Sequence, residues 1–193
     1  MWGLIGRAPT DAPLAAPSLA NPILPLPPQE WTADDAREFY NGCFNAPQTP
    51  DPTALLGELL LSYKNSGRDF RDPPGPDGYV LQVIPVDRKY QPVQLIGRCT
   101  IILFNEPALN PDGSTGRPLY IWRILEQDLA KYWTPTHLLK GYLFKLDWGL
   151  EDPGPGNYEL WVFLKYRNNN VVAGECRSLS FQEQPGALAP DKR

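Results

Sequence analysis

Residues 141–166 constrain the fold of this chain most strongly, because two runs of alternating side chains there flank a turn rich in proline and glycine. Large apolar side chains share one face of the first run: Tyr142, Phe144, Leu146 and Trp148. The matching face of the second run carries Tyr158, Leu160, Val162, Leu164 and Tyr166. Alternation with a period of two is typical of half-buried antiparallel strands. The stretch therefore predicts a β-hairpin whose apolar faces fill a core.

Further strands are expected on both sides of this hairpin. Runs rich in branched and aromatic residues predict strands at residues 79–86, 97–105, 119–125 and 171–181, with helical turns at 126–133. Six to seven strands joined by turns favour a mainly β chain with an antiparallel β-sandwich, since parallel strands would need crossover helices between them. Gly156-Asn157-Tyr158 also resembles the tyrosine corner of immunoglobulin-type sandwiches, in which a tyrosine bonds back to the preceding loop.

Composition divides the chain into segments around this sandwich, which is expected to span residues 78–182. Residues 1–30 are rich in proline and alanine and predict an extended or disordered arm. This arm is either a tether, a ligand for a partner, or in part a segment that lies along the folded domain. Residues 67–77 predict a linker rich in proline and glycine, and residues 183–193 predict a disordered tail.

Residues 31–66 predict two short helices, which would make the N-terminal extension partly helical. Thr32 is a good N-cap for the first helix, and Asn41-Gly42 gives a fitting end. The second helix would begin at Asp51-Pro52, because proline is favoured at the first helical position. Its apolar stripe would consist of Leu55, Leu56, Leu59, Leu60 and Tyr63. We expect this stripe to pack on the sandwich, on the first helix or on a partner chain.

Charge and hydropathy exclude several classes of partner. The formal net charge is −4 and no long basic run exists, which argues against nucleic acid as a partner. No stretch of 18 apolar residues is present, so a membrane span is not expected. The first residues also lack the uninterrupted apolar core of a secretory signal, and the compartment stays open.

The three cysteines are Cys43, Cys99 and Cys176. Their odd number and wide spacing argue against a disulfide framework and against a zinc site. Cys99 and Cys176 both fall in predicted strands, so they either pair across the sandwich or remain buried thiols.

No set of residues with the pattern of a catalytic site is found. His137 is the single histidine, and neither a nucleophile nor an orienting partner accompanies it in the local sequence. Asp147, Glu151 and Asp152 lie beside Trp148 at the turn, where they form either a carboxylate pair or an exposed acidic turn. We therefore expect no enzyme, no metal site and no cofactor.

Trp161 and Phe163 lie on the face of the second run opposite to its core residues. Large exposed aromatics require an explanation, and three remain open. The N-terminal helix with Leu55–Leu61 covers these rings, a protein partner binds them, or the rings stack on a sugar. The sequence thus predicts a non-catalytic module with a structural or protein-binding role. The alternative is a carbohydrate-binding module that uses Trp161, Phe163 and Trp148.

Structural motifs in residues 78–181 carry a family resemblance. They are Pro85-Val86-Asp87 followed by Pro92-Val93, Trp122 followed by helical turns at 126–133, and Gly141-Tyr142 followed by Leu146 and Trp148. In these motifs the stretch resembles an immunoglobulin-like or transthyretin-like sandwich domain of uncharacterised bacterial proteins, many of them envelope lipoproteins. The resemblance implies a location in the cell envelope and no known activity. The signal and lipobox cysteine typical of such lipoproteins are not visible near residue 1.

Overall fold

The structure is a computed structural model and describes nine stretches of the chain, most of them in β-strands. These are residues 21–26, 31–43, 58–63, 77–105, 107–108, 116–135, 140–149, 153–166 and 170–181. Two helices are present in them: α1 (Ala33–Cys43) and α2 (Glu126–Leu129), the latter followed by a 3-10 turn, Ala130–Tyr132. The strands are β1 (Glu58–Tyr63), β2 (Gly78–Val86), β3 (Gly97–Phe104), β4 (Pro118–Ile124), β5 (Trp133–Thr134), β6 (Gly141–Asp147), β7 (Gly156–Tyr166) and β8 (Asn170–Phe181).

The strands form two antiparallel sheets of four strands each. The first sheet has the order β1-β2-β6-β5, and the second has the order β4-β3-β7-β8. In the first sheet Leu81 lies opposite Phe144, and in the second Ile101 lies opposite Val162. The two sheets pack face to face, because apolar side chains from both belong to one buried cluster. The mainly β prediction is therefore confirmed.

The two alternating runs of residues 141–166 form strands, but the predicted hairpin is wrong. β6 pairs with β2 in the first sheet, and β7 pairs with β3 and β8 in the second. The connection between the two runs holds Pro153 and Pro155 and is too long for the two-residue turns that favour pairing of adjacent strands. The predicted core faces are confirmed, since Phe144 and Val162 are both fully buried in the shared core.

The helix expected around Leu55 to Tyr63 is also wrong in its described part. Glu58–Tyr63 form β1, which pairs antiparallel with β2 so that Leu61 lies opposite Val83. Three consecutive leucines fit a helical pattern and an extended pattern equally well. The strand is favoured because its pairing with β2 satisfies backbone groups that would otherwise be unpaired at the edge of the first sheet. The start of that predicted helix lies outside the described residues. The first helix and the helical turns after β4 are confirmed.

Residues 21–26 of the N-terminal arm are extended and dock on both sheets. The Ile23 amide donates to the Lys145 carbonyl at 2.8 Å, and the Asp147 amide donates to the Ile23 carbonyl at 2.9 Å. Further along, the Leu26 amide donates to the Ile121 carbonyl of β4 at 2.7 Å. The arm thus runs beside β6 in the first sheet and reaches the edge strand of the second. The rest of the predicted arm, the linker at 67–76 and the tail at 183–193 lie outside the described residues.

Cys99 is a free thiol, buried in the core. It lies opposite Leu164, and Cys176 lies opposite Leu160, so their strands flank β7 within the same sheet. A disulfide across the two sheets is therefore excluded by the topology. Burial raises the pKa of the Cys99 thiol, because the thiolate would lose its hydration.

This environment makes Cys99 unreactive in the folded chain. We expect iodoacetamide at neutral pH to leave Cys99 unmodified in the native protein and to modify it fully in denaturant, since the thiolate is the reacting species. Peptide mapping by mass spectrometry resolves each cysteine and gives the measurement. Rapid modification of Cys99 under native conditions would contradict the buried placement.

Candidate functional site on the outer face of the second sheet

The second sheet is apolar on both faces. Its inner face joins the core shared with the first sheet, while its outer face carries a separate buried cluster: Ile102, Phe104, Ile121, Trp161 and Phe163. We call this surface the outer face. An antiparallel sheet commonly has one face in water, so a second apolar face requires a cover. That cover comes from the N-terminal part of the chain.

Helix α1 is the cover, and its own sequence explains where it begins. The Asp35 amide donates to Thr32 Oγ1 at 3.1 Å, and the Thr32 amide donates to Asp35 Oδ2 at 3.0 Å. This reciprocal pair is a capping box, with aspartate in the place of the usual glutamate. Asp34 and Asp35 in the first turn also match the positive end of the helix dipole.

Phe39 anchors the helix and is fully buried. Its ring centroid lies 5.5 Å from that of Phe104 and 5.6 Å from that of Trp161, with the Trp161 ring edge-on at 88°. Trp31 approaches the same ring from the start of the helix, at 6.2 Å. Edge-to-face aromatic pairs contribute about 0.5–1.5 kcal/mol beyond the area they bury. Among the described residues of α1, Phe39 is the one that belongs to the buried apolar cluster of the outer face.

Three cations on the outer face hold the helix through its carboxylates. Arg98 donates to both oxygens of Glu38, at 2.9 and 3.0 Å, and Lys165 lies 3.0 Å from the same carboxylate. Arg123 donates to Asp35 at 2.8 Å. The three cationic side chains, which we call the cation row, are between 24% and 34% exposed. Solvent screens them only in part, so each pair stabilises more than a fully exposed pair would.

The two carboxyls of α1 respond to this environment. Burial raises the pKa of Asp35, but hydrogen bonds from Thr32 and the charges of Arg123 and Arg98 outweigh it, so the pKa lies below its usual 3.8. Burial likewise raises the pKa of Glu38, and the hydrogen bond and charge of Lys165 together with Arg98 bring it below its usual 4.5. Both groups are charged at neutral pH.

Docking of α1 should consequently depend on pH in the acid range. Because both folded-state pKa values are lowered, the ion pairs stabilise the docked helix above the usual pKa values, and this contribution is lost as the pH falls through the lowered ones. We expect amide protection of α1 to decline below about pH 4 while the strands of the shared core stay protected. Hydrogen exchange at several pH values measures this, and Glu38→Gln should flatten the response. Loss of α1 and core protection at one common pH would contradict it.

The three aromatic side chains predicted as a binding site are not exposed. Trp161, Phe163 and Trp148 are 6%, 4% and 4% exposed. Trp161 and Phe163 lie together under α1, whereas Trp148 lies in the core between the sheets, 5.7 Å from the ring of Trp122. Of the three explanations for Trp161 and Phe163, cover by an N-terminal helix fits the structure, although the helix is α1 and not the predicted helix with Leu55–Leu61.

Sequence reasoning missed Phe39 and the cation row. Phe39 stood in a helix predicted from its cap alone, and no apolar stripe drew attention to it. Arg98 and Lys165 lie directly opposite each other in neighbouring strands, which sequence spacing does not reveal. Two features of the sequence could have indicated this contact. The first predicted helix is acidic, and β3 and β7 carry large apolar side chains on both faces.

Of the candidate acids in the turn after β6, only Asp147 lies in the described part of the structure. Asp147 is buried, and its carboxylate accepts a hydrogen bond from the Gly149 amide at 2.7 Å. Glu151, Asp152 and His137 lie outside the described residues. Within the described stretches, no group of three histidine, cysteine or acidic side chains is placed to hold a metal ion. None of the described helices is both long and apolar enough to cross a membrane.

Comparison of the chain with protein-family models, with curated proteins and with solved structures finds no match.

Proposed function

We propose that this chain is a non-catalytic, immunoglobulin-like module of the cell envelope that acts by binding another protein through the outer face. The observation that carries the proposal is the construction of that face, which holds a helix by one aromatic anchor and a row of cations. Helix-in-groove recognition uses the same elements, an apolar anchor and flanking charges, in many complexes. The envelope location rests on the family resemblance of residues 78–181.

The strand order supports the immunoglobulin-like part of the proposal. In constant-type immunoglobulin domains one sheet has the order ABED and the other contains C, F and G. The first sheet, β1-β2-β6-β5, corresponds to ABED when β4 is lettered C′ and the other strands are lettered A to G in chain order. The second sheet, β4-β3-β7-β8, corresponds to C, F and G with one added strand beside C.

Tyr158 supports the same assignment. It lies near the start of β7, the counterpart of strand F, and its hydroxyl donates to the Pro153 carbonyl at 2.5 Å. The Gly154 carbonyl lies 3.0 Å from the same hydroxyl. A tyrosine at this corner that bonds back to the preceding loop is a hallmark of immunoglobulin-type sandwiches.

The short length of α1 supports the proposal that the outer face binds another protein. An isolated helix of 11 residues is marginal in water, so its contacts with the outer face hold it in place. The face therefore has the chemistry to order a short amphipathic helix.

In-cell photo-crosslinking tests protein binding. A photoreactive amino acid at Ile96 would report on the rim of the outer face, because Ile96 is 75% exposed and continues the alternation that places Arg98 on that face. Tyr90, 69% exposed in the turn after β2, is the matched control position. We expect one discrete protein adduct, identified by mass spectrometry, from Ile96 and none from Tyr90. Absence of an adduct at Ile96 would remove the binding proposal.

A second measurement tests the non-catalytic part. The purified chain is incubated with metabolite and polysaccharide extracts, and the composition is followed by mass spectrometry against a heat-unfolded control. We expect the two incubations to be indistinguishable. Reproducible conversion of any compound by the native chain alone would show an enzyme.

A further inference from the structure

We propose that α1 is a tethered occupant of the outer face, and that an acidic helix of a partner protein with the same arrangement of two carboxylates and one aromatic anchor takes its place. The inference rests on the proposed binding function and names the class of partner. In α1 the pattern is Asp35, Glu38 and Phe39, which places the carboxylates four positions and one position before the anchor.

The helix is separable from the core of the two sheets. None of the described side chains of α1 belongs to the cluster shared by the sheets, while Phe39 belongs to the cluster of the outer face. Among the described residues, the ion pairs between α1 and the sheet involve only Asp35 and Glu38. Removal of α1 would therefore uncover the outer face and leave the packing between the sheets unchanged.

The spacing of the three contacting residues defines what the face recognises. Asp35 and Glu38 are three residues apart and Asp35 and Phe39 four, so all three share one side of the helix. Asp34 and Arg37 form their own pair away from the sheet, with side chains 86% and 71% exposed. A partner helix needs only the first three positions, and the remaining surface is free to differ.

The cations of the face favour an acidic partner. Among the described ion pairs, three cations of the face contact the two carboxylates of α1, while the Glu159 carboxylate on the same face accepts hydrogen bonds from the Ala108 amide and from Trp161 Nε1. Within the described part of the chain, Nε of Arg98 and Nε of Arg123 are buried without an acceptor. Leaving a buried donor without an acceptor is unfavourable. Helix α1 thus leaves two donors of the cation row unsatisfied, and a partner helix whose two carboxylates lie closer to these Nε atoms would complement the face better.

Because α1 and a partner helix compete for the outer face, the measured affinity of the partner helix depends on how firmly α1 is docked. A ligand for a site that is open for only a fraction of the time binds with an affinity reduced by that fraction. Weakening the tethered helix must then strengthen binding of a free one. This relation distinguishes displacement of α1 from binding elsewhere on the surface.

The probe is a fluorescent synthetic peptide of residues 31–43 carrying Cys43→Ser, added to the full-length chain and followed by anisotropy. We expect weak binding to the wild-type chain and at least about tenfold tighter binding to Phe39→Ala, whose own helix is weakened. A peptide with Asp35→Asn and Glu38→Gln should bind the variant about tenfold more weakly. Equal binding to both chains, or equal binding of both peptides, would overturn the inference.

Two controls keep the outcome interpretable. If Phe39→Ala does not fold, Glu38→Lys weakens α1 without removing an apolar side chain and should give the same gain in peptide affinity. If the wild-type chain forms dimers that the peptide dissociates, the occupant is a second copy of this chain and the partner proposal is wrong. Failure of the peptide to bind, together with an adduct at Ile96, would reject displacement alone. Peptide binding without an adduct would show that α1 is exchangeable but would reject the proposed function and, with it, the partner.

Discussion

Replacing Phe39 by alanine is expected to release α1 from the outer face while the two sheets stay folded. The side chain is fully buried among aromatic rings, and truncation of a buried phenylalanine costs about 3–5 kcal/mol. The remaining contacts are partly exposed ion pairs, each worth about 1 kcal/mol or less. Because a helix of this length is marginal alone, the loss exceeds what those pairs supply.

Hydrogen exchange followed by mass spectrometry measures this effect by region. Peptides that cover α1 should exchange rapidly in Phe39→Ala, and those that cover β2 and β6 should keep their protection. Arg37→Ala is the matched control, since Arg37 is on the same helix with a side chain that is 71% exposed. An equal loss of protection in α1 and in the first sheet would show that the helix is part of one cooperative unit. Unchanged protection of α1 would show that Phe39 is not its anchor.

Local pattern was sufficient to predict six of the eight described strands and the inner core, but it did not predict β1 or β5. The alternation in β6 and β7 identified Phe144 and Val162 as core residues, and both are fully buried. Alternation indicates which side chains share a face of the strand, and this does not depend on which other strand pairs with it. The capping residues at Thr32 likewise located α1, because a cap acts within one helical turn.

Local pattern did not predict which strands pair with each other or which element covers the outer face. The two runs were expected to pair with each other, yet β6 and β7 belong to different sheets because each finds a better neighbour far along the chain. The leucines of β1 matched a helical pattern in the sequence, but in the structure they form a strand that pairs with the edge of β2. Glu38 and Arg98 are 60 residues apart in sequence, and no local signal joins them. Long-range pairing depends on the competition among all strands, which a single sequence does not rank.

Trp161 and Phe163 show the same limit at the candidate site. Their position on the second apolar face was correct, and so was the inference that this face needs an explanation. Which element covers it depends on the path of the chain before the sheets. The sequence indicated the helix with Leu55–Leu61 as the cover, and only the three-dimensional arrangement identified α1.

Replacing Trp122 by alanine is expected to destabilise both sheets together, in contrast to the local effect of Phe39→Ala. Trp122 is fully buried between the sheets, and its indole Nε1 donates to the Asp147 carbonyl of the opposite sheet at 2.9 Å. Its ring lies 5.6 Å from that of Tyr120 and 5.7 Å from that of Trp148. Truncation of a buried tryptophan costs about 3–5 kcal/mol, a large share of the about 5–15 kcal/mol that stabilises a typical domain.

Denaturant unfolding followed by circular dichroism measures the free energy of unfolding for this variant. Trp122→Phe should lower the free energy of unfolding less than Trp122→Ala does. Phenylalanine keeps most of the ring volume and loses only the hydrogen bond and part of the contact area. Ile96→Ala, at a site that is 75% exposed, should change the free energy by no more than about 0.5 kcal/mol. A loss below about 1 kcal/mol for Trp122→Ala would contradict the placement of this ring in the shared core. Because that core joins both sheets, unfolding of the variant should remain a single transition, with the strands of the two sheets losing protection together.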